Sequence, residues 1–118
     1  MNAGDFKDAL QGRREVELTV TGRKSGRESS RPIWFVEEGD RVLLLPVSGS
    51  GSNWYRNLVK TPEIQLAAAG SELRATARPV EDQGGIAAIL EAFGAKYGAD
   101  QVAEYYPNQD AAVEVPLS

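Results

Sequence analysis

Hydrophobic positions alternate at short period through the first two thirds of the chain and take helical spacing in the last third. Val16, Leu18 and Val20 alternate with polar residues from Glu15 to Thr21, the pattern of a strand with one buried face. A second strand is predicted from Ser29 to Glu37, with Pro32 at an edge or a bulge, where a missing ladder donor is tolerated. Glu38, Gly39 and Asp40 signal a turn, and Arg41 to Leu45 reads as a third strand in a hairpin with the second. Pro62 to Ala69 and Glu72 to Pro79 read as another hairpin around Gly70 and Ser71, which makes five strands before residue 80.

Helical spacing is found in four places. Asp5 to Gln11 puts Phe6 and Leu10 on one side and is closed by Gly12. Asn53 can cap a helix through Lys60 that turns Trp54, Tyr55 and Leu58 inward, and Pro62 stops it. After Asp82 and the pair Gly84 and Gly85, a helix from Ile86 to Lys96 carries Ile86, Ile89, Leu90 and Phe93 as an apolar stripe. A short helix from Ala99 to Tyr106 follows, and Ala111 to Leu117, with Val113 and Val115 inward, is a sixth strand that closes the sheet. Sequence-adjacent antiparallel strands with helices at the margins predict a mainly β fold with helices (α+β), a small barrel rather than a sheet with parallel crossovers. The length of 118 residues suits one domain, 1–118.

Two irregular stretches carry the candidate chemistry. Between the first two strands, Gly22 to Arg27 brings Arg23, Lys24, Ser25, Gly26 and Arg27 into a turn whose glycines allow it to be tight and its amides to converge. Such a turn suits a phosphate or carboxylate, although its glycines do not have the spacing of a nucleotide-binding P-loop. Pro46 to Ser52, PVSGSGS, has nothing to hold a regular element and is read as a loop lining a site.

Charge sharpens this picture. The net charge is −4, yet residues 1–60 carry ten basic and eight acidic side chains and residues 61–118 three and nine. Cations gathered near the first turns of an acidic chain favour a small anionic ligand over nucleic acid. With no Cys and no His, disulfides, thiolate metal sites and nucleophiles that rely on histidine are excluded, and no metal is expected. No carboxylate pair has a spacing that argues for general acid and base work. No apolar stretch is long enough to cross a membrane, and the N-terminus is too polar for a secretory signal, so a cytoplasmic protein is expected.

The segments LTVTGRKSGRESSRPIWFVEEGDRVLLLP, SNWYRNLVKTPEIQL, LRATARPV and AVEVPL together resemble the deazaflavin-dependent nitroreductase and quinone reductase family of the split β-barrel superfamily. The resemblance covers residues 15–80 well and 86–118 loosely. It implies a split barrel that binds coenzyme F420 and passes hydride from its reduced form to quinones, nitro compounds or activated alkenes. In this family the basic turn, here Arg23, Lys24, Ser25 and Gly26, contacts the cofactor's phosphate and acidic tail. Ser29 stands where a further cation is usual, and Arg27 and Arg31 flank it. Pro32 and Ile33 match residues beside the deazaflavin ring. Val47, Ser48 and Gly49 belong to the loop that wraps the cofactor, shorter here and without the usual Lys or His. Trp54, Tyr55, Asn57 and Leu58 match the family's helix motif, with Trp54 and Leu58 in core positions. Tyr97 matches a tyrosine set over the ring. The next such position holds Asp100, so Tyr105 or Tyr106 would serve in its place as catalytic or substrate-contacting residues. The cations would equally hold the phosphate of flavin mononucleotide (FMN), so FMN stays as the alternative cofactor, and a carrier for a phosphorylated, flavin-like ligand as the alternative function. A homodimer is expected, because a barrel of this size buries little core alone and its edge strands invite pairing.

Overall fold

The computed structural model describes residues 3–117; Met1, Asn2 and Ser118 lie outside the described residues. Its sheet contains β1 (Glu15–Thr21), β2 (Glu28–Glu38), β3 (Arg41–Leu44), β4 (Glu63–Ala68), β5 (Ser71–Thr76), β6 (Arg78–Val80) and β7 (Ala112–Pro116). All neighbours are antiparallel, in the order β5-β4-β1-β2-β3-β7-β6. Around it lie α1 (Ala3–Leu10), α2 (Asn53–Lys60), α3 (Gln83–Tyr97) and α4 (Ala99–Tyr105). The sheet curls into a half-barrel with short flanking helices, the split β-barrel that the sequence suggests.

The long strand β2 makes the curl. Its first part pairs only with β1, from Glu28 opposite Thr21 to Trp34 opposite Glu15, and its last four residues pair only with β3. Pro32 therefore has a strand on one side and none on the other, the local edge its missing donor requires. The next pair in the β1–β2 register would be Arg14 with Phe35, and the Tyr97 hydroxyl stands there instead. It lies 2.7 Å from Arg14 O, 2.7 Å from Phe35 O and 3.0 Å from Phe35 N. It accepts the Phe35 N–H and donates to one of the two carbonyls, so a side chain completes the ladder where the barrel splits.

Two buried clusters sit on opposite faces of β2, β3 and β7. Phe35, Val42, Leu44, Val113 and Val115 point into the barrel with Leu18, Leu66 and the apolar faces of α1 and α2. Val36, Leu43, Leu45 and Ala112 point outward and are covered by Ile86, Ile89 and Phe93 of α3. This double burial explains the unbroken apolar run at residues 42–45, which would be unusual in a strand wet on one face.

The structure corrects several boundaries. Six strands, not five, precede residue 81, because the strand expected from Glu72 to Pro79 breaks at Ala77. Ala77 is buried, its N–H turns to Pro62 O at 2.8 Å, and Arg78–Val80 leaves β4 to pair with β7. Pro79 is accommodated there because β6 is an edge strand. Helix α3 begins at Gln83, three residues before the first apolar position, since the Asp82 carboxylate caps it by accepting from Gly85 N–H at 2.7 Å. Ser52, rather than Asn53, occupies the cap position of α2, and residues 49–51 form one 3-10 turn inside the loop expected to be irregular.

Candidate functional site

A cleft of 360 Å³ opens between β2, the 46–52 loop, the N-terminal end of α2 and the end of α4. Arg31, Pro32 and Ile33 form its β2 wall, as the sequence suggests. Val47 and Ser48 line it from the loop, Trp54 from α2, and Tyr105 and Tyr106 from the C-terminal region. Residues from four separate stretches thus meet at one place. Trp34 and Asn53 also line the cleft and were not among the residues expected there. The signal for Trp34 was its register: two positions from Pro32, it shares that outward face of β2.

Trp34 is the centre of an aromatic stack. Tyr97 lies parallel to it at 4.2 Å between ring centres, tilted by 9°, and Tyr105 at 4.5 Å, tilted by 10°. Two rings that close to one indole, without meeting each other, must cover its two faces. Tyr105 is 47% exposed and forms the cleft side of the stack. Tyr97 is buried behind it, with its hydroxyl committed to the backbone at the split. Burial raises the Tyr97 pKa, against the pull of its Phe35 hydrogen bond and Arg14. Tyr106 packs edge-on against Phe93 and Trp34, and burial drives its pKa upward. Its phenol is therefore a proton-bearing donor at the cleft, and its hydroxyl has no hydrogen-bond partner among the described residues.

The basic turn leans on α2. Arg23 N–H and the Arg23 guanidinium both donate to Asn57 Oδ1, at 3.1 and 2.7 Å, and the guanidinium also reaches Asn53 O at 3.4 Å. Asn57 is thus a brace for the turn. Gly26 adopts φ 71° and its N–H returns to Gly22 O at 3.0 Å. A Cβ on Gly22 would come within 2.7 Å of Ser25 Oγ and 3.3 Å of Arg27 O and would crowd the turn, while the positive φ at Gly26 favours glycine outright. Four of the turn's amides are engaged within the protein: Gly22 N–H bonds to Arg27 O, Arg23 N–H to Asn57, Gly26 N–H to Gly22 O and Arg27 N–H to Ser25 Oγ. The adjacent N–H groups of Lys24 and Ser25 have no hydrogen-bond partner among the described residues. Beside these two amides the turn presents the exposed side chains of Lys24 and Arg27, neither in an ion pair among the described residues.

The cleft loop is held from the opposite side. Asp110 accepts from Ser50 N–H at 2.8 Å and from Ser50 Oγ–H at 2.6 Å, and these bonds hold its carboxyl below the usual range. Gly49 is buried with φ 61°, and a Cβ there would fall 2.2 Å from Asp110 Oδ1. Gly49 therefore allows close approach of the loop to residues 108–110 instead of lining the cleft. Tyr55 is buried in the barrel with its hydroxyl 3.2 Å from Glu81, and burial with the charges of Glu81 and Asp110 pushes its pKa up to about 12. It does not line the cleft. Among the described residues no group of His, Cys, Asp or Glu could hold a metal ion, and no helix is long and apolar enough to cross a membrane.

A half-barrel with an aromatic cleft beside a basic turn defines the class of split β-barrel flavin- and F420-reductase-like proteins. The family model described as F420H(2)-dependent quinone reductase matches residues 1–88, and the chain belongs to that family. Among solved structures, an F420-H2 dependent reductase is 23% identical, with TM-score 0.67, over 87% of this chain and 94% of that one. A domain-swapped dimer is also 23% identical, with TM-score 0.68, over 87% of this chain and 80% of that one. The heme storage protein HutZ from Vibrio cholerae superposes more closely, with TM-score 0.76 over all of this chain and 92% of that one, at 16% identity. These likenesses establish the fold, which is shared with oxidoreductases of this superfamily.

Proposed function

We propose that the cleft binds coenzyme F420 and that the protein is an F420H2-dependent oxidoreductase acting on quinone, nitro or activated-alkene acceptors. The observation that carries this reading is the join of a flat, aromatic-walled cleft to cations that have no carboxylate partner among the described residues. Such a site suits a planar ring with a phosphate and an acidic tail. When bound, the reduced deazaflavin supplies the hydride. Pro32 and Ile33 would flank the ring, Val47, Ser48 and Trp54 would border it, and Arg31 with Arg23, Lys24, Ser25, Gly26 and Arg27 would hold the phosphate and acidic tail. Asn57 serves indirectly, by holding Arg23.

The protein's share of the chemistry is orientation, exclusion of water and one proton-bearing donor. Tyr105, backed by Trp34, offers a flat surface to the acceptor. The Tyr106 hydroxyl donates to the acceptor oxygen as negative charge develops there, a contact that strengthens toward the transition state. Tyr97 acts by fixing Trp34 from behind.

Titration of the purified chain with oxidised F420, and in parallel with FMN, tests the cofactor assignment. F420 should bind more tightly, and Lys24→Glu should weaken it by roughly tenfold or more, since a charge-assisted contact contributes about 1.5–3 kcal/mol. Tighter FMN binding would move the chain to the flavin-using branch. Turnover of F420H2 with menadione separates an enzyme from a carrier.

A further inference from the structure

The stack of Trp34 and Tyr97 has a second side. Behind it the end of α1, residues 11–14, β2 and α3 border an open groove of 520 Å³ that shares no lining residue with the cleft. Arg13 and Arg14 stand on one bank and Lys96 on the other. None of the three has a carboxylate within ion-pair distance among the described residues, in a chain of net charge −4.

Two of these cations, Arg14 and Lys96, lie against aromatic rings. The Arg14 guanidinium lies 5.1 Å from the Tyr97 ring centre and 5.4 Å from that of Trp34. Lys96 Nζ lies 5.1 Å from the same Tyr97 ring and 3.6 Å from the Phe35 ring, and donates to Phe35 O at 2.8 Å. Burial and the nearby charge of Arg14 lower the Lys96 pKa, opposed by the charge of Glu37. An anion lying among the three cations would relieve their repulsion.

Glu37 supplies the complementary feature. Its Oε1 accepts from Gln11 Nε2 at 2.9 Å, while its Oε2 is buried and has no hydrogen-bond partner among the described residues. A buried carboxylate oxygen without a donor is costly, and a ligand N–H or O–H would satisfy it. Glu15, whose charge reaches the Tyr97 hydroxyl, is the other acid near this stack.

We propose that this groove is a second ligand site, taking a small organic acid whose carboxylate lies among Arg13, Arg14 and Lys96 and whose neighbouring hydroxyl or amino group donates to Oε2 of Glu37. The site is independent of what the cleft binds. Its occupant would nevertheless touch Tyr97, the ring that backs the cleft wall.

The test is a titration of the full isotope-labelled chain with lactate and with propionate at constant ionic strength, followed by backbone amide shifts. Lactate should give saturable shifts at Gln11, Arg14, Lys96 and Tyr97 and leave Lys24 and Ser25 unmoved. Propionate, which lacks the hydroxyl, should bind about tenfold more weakly, the effect of one hydrogen bond to a charged group. Arg14→Gln and, separately, Lys96→Gln should each weaken lactate by about tenfold, whereas Arg74→Gln on β5 should not. Shifts that do not saturate, that centre on the basic turn, or that persist unchanged in both groove variants overturn the site. Equal affinity for lactate and propionate overturns the role given to Glu37.

Discussion

Tyr97 offers the sharpest test of how the fold supports the cleft. Replacing it with Phe keeps the ring against Trp34 and removes only the hydroxyl. That hydroxyl accepts the Phe35 N–H and donates to Phe35 O or Arg14 O, at the point where β1 and β2 part. Phe35 is 1% exposed, so water cannot replace the lost acceptor. The lost hydrogen bond removes roughly 0.5–1.5 kcal/mol, and the stranded buried donor costs about 1–3 kcal/mol. The two overlap, and the expected destabilisation is about 2–3 kcal/mol. For a chain of this size that lowers the thermal midpoint by roughly 8–12 °C. Urea denaturation followed by circular dichroism measures the free energy, and calorimetry the midpoint. Amide exchange should show the loss concentrated at Phe35 and its neighbours. A variant within about 0.5 kcal/mol of the parent would mean that the hydroxyl does not replace a rung of the ladder, and the account of the barrel's split would fail.

Other outcomes follow from the loop and the edges. Gly49→Ala should destabilise the protein by more than roughly 1 kcal/mol, because it combines a positive φ with a Cβ placed 2.2 Å from Asp110 Oδ1; chemical denaturation checks it, and a neutral result refutes it. Asp110 has a depressed folded-state pKa, so its contribution is complete above the ordinary carboxyl value of about 3.9 and is lost as pH falls through the lower folded value. Hydrogen-exchange protection of the Ser50 amide should therefore fall at acid pH in the parent and be low at all pH in Asp110→Ala. Tyr106→Phe should leave F420 affinity nearly unchanged and lower turnover with menadione by roughly tenfold, about 1.4 kcal/mol of transition-state stabilisation; equal turnover removes its hydroxyl from the mechanism. A homodimer is expected in sedimentation at micromolar concentration, and a species of 12.8 kDa alone would reject it.

Strand existence and facing were legible in the sequence because period-two burial is local. Val16, Leu18 and Val20 could point inward only together, and β1 has the bounds that the alternation predicts. The same holds for the stripe on α3 and for the turn at Gly39. The residues gathered in the cleft were legible only in part: the 46–52 loop through its composition, and Arg31, Pro32, Ile33, Trp54, Tyr105 and Tyr106 through resemblance. The hairpin pairings β2–β3 and β4–β5 were legible as well, whereas β1–β4, β3–β7 and β6–β7 were decided by tertiary structure. The break at Ala77 depends on a bond to Pro62 and on β7, more than thirty residues away, which no local pattern encodes. Trp34 looked like an ordinary strand aromatic until α3 and α4 brought Tyr97 and Tyr105 onto its two faces. Tyr97, set by resemblance over the cofactor ring, has its hydroxyl at the split because the β1–β2 register runs out one pair short of Arg14 and Phe35. The turn's composition showed that it was tight and basic, but only the approach of Asn57 settled where the Arg23 amide and guanidinium go. Sequence periodicity dictates what each segment buries against water; what a freed backbone group or an exposed ring meets depends on segments distant in the chain.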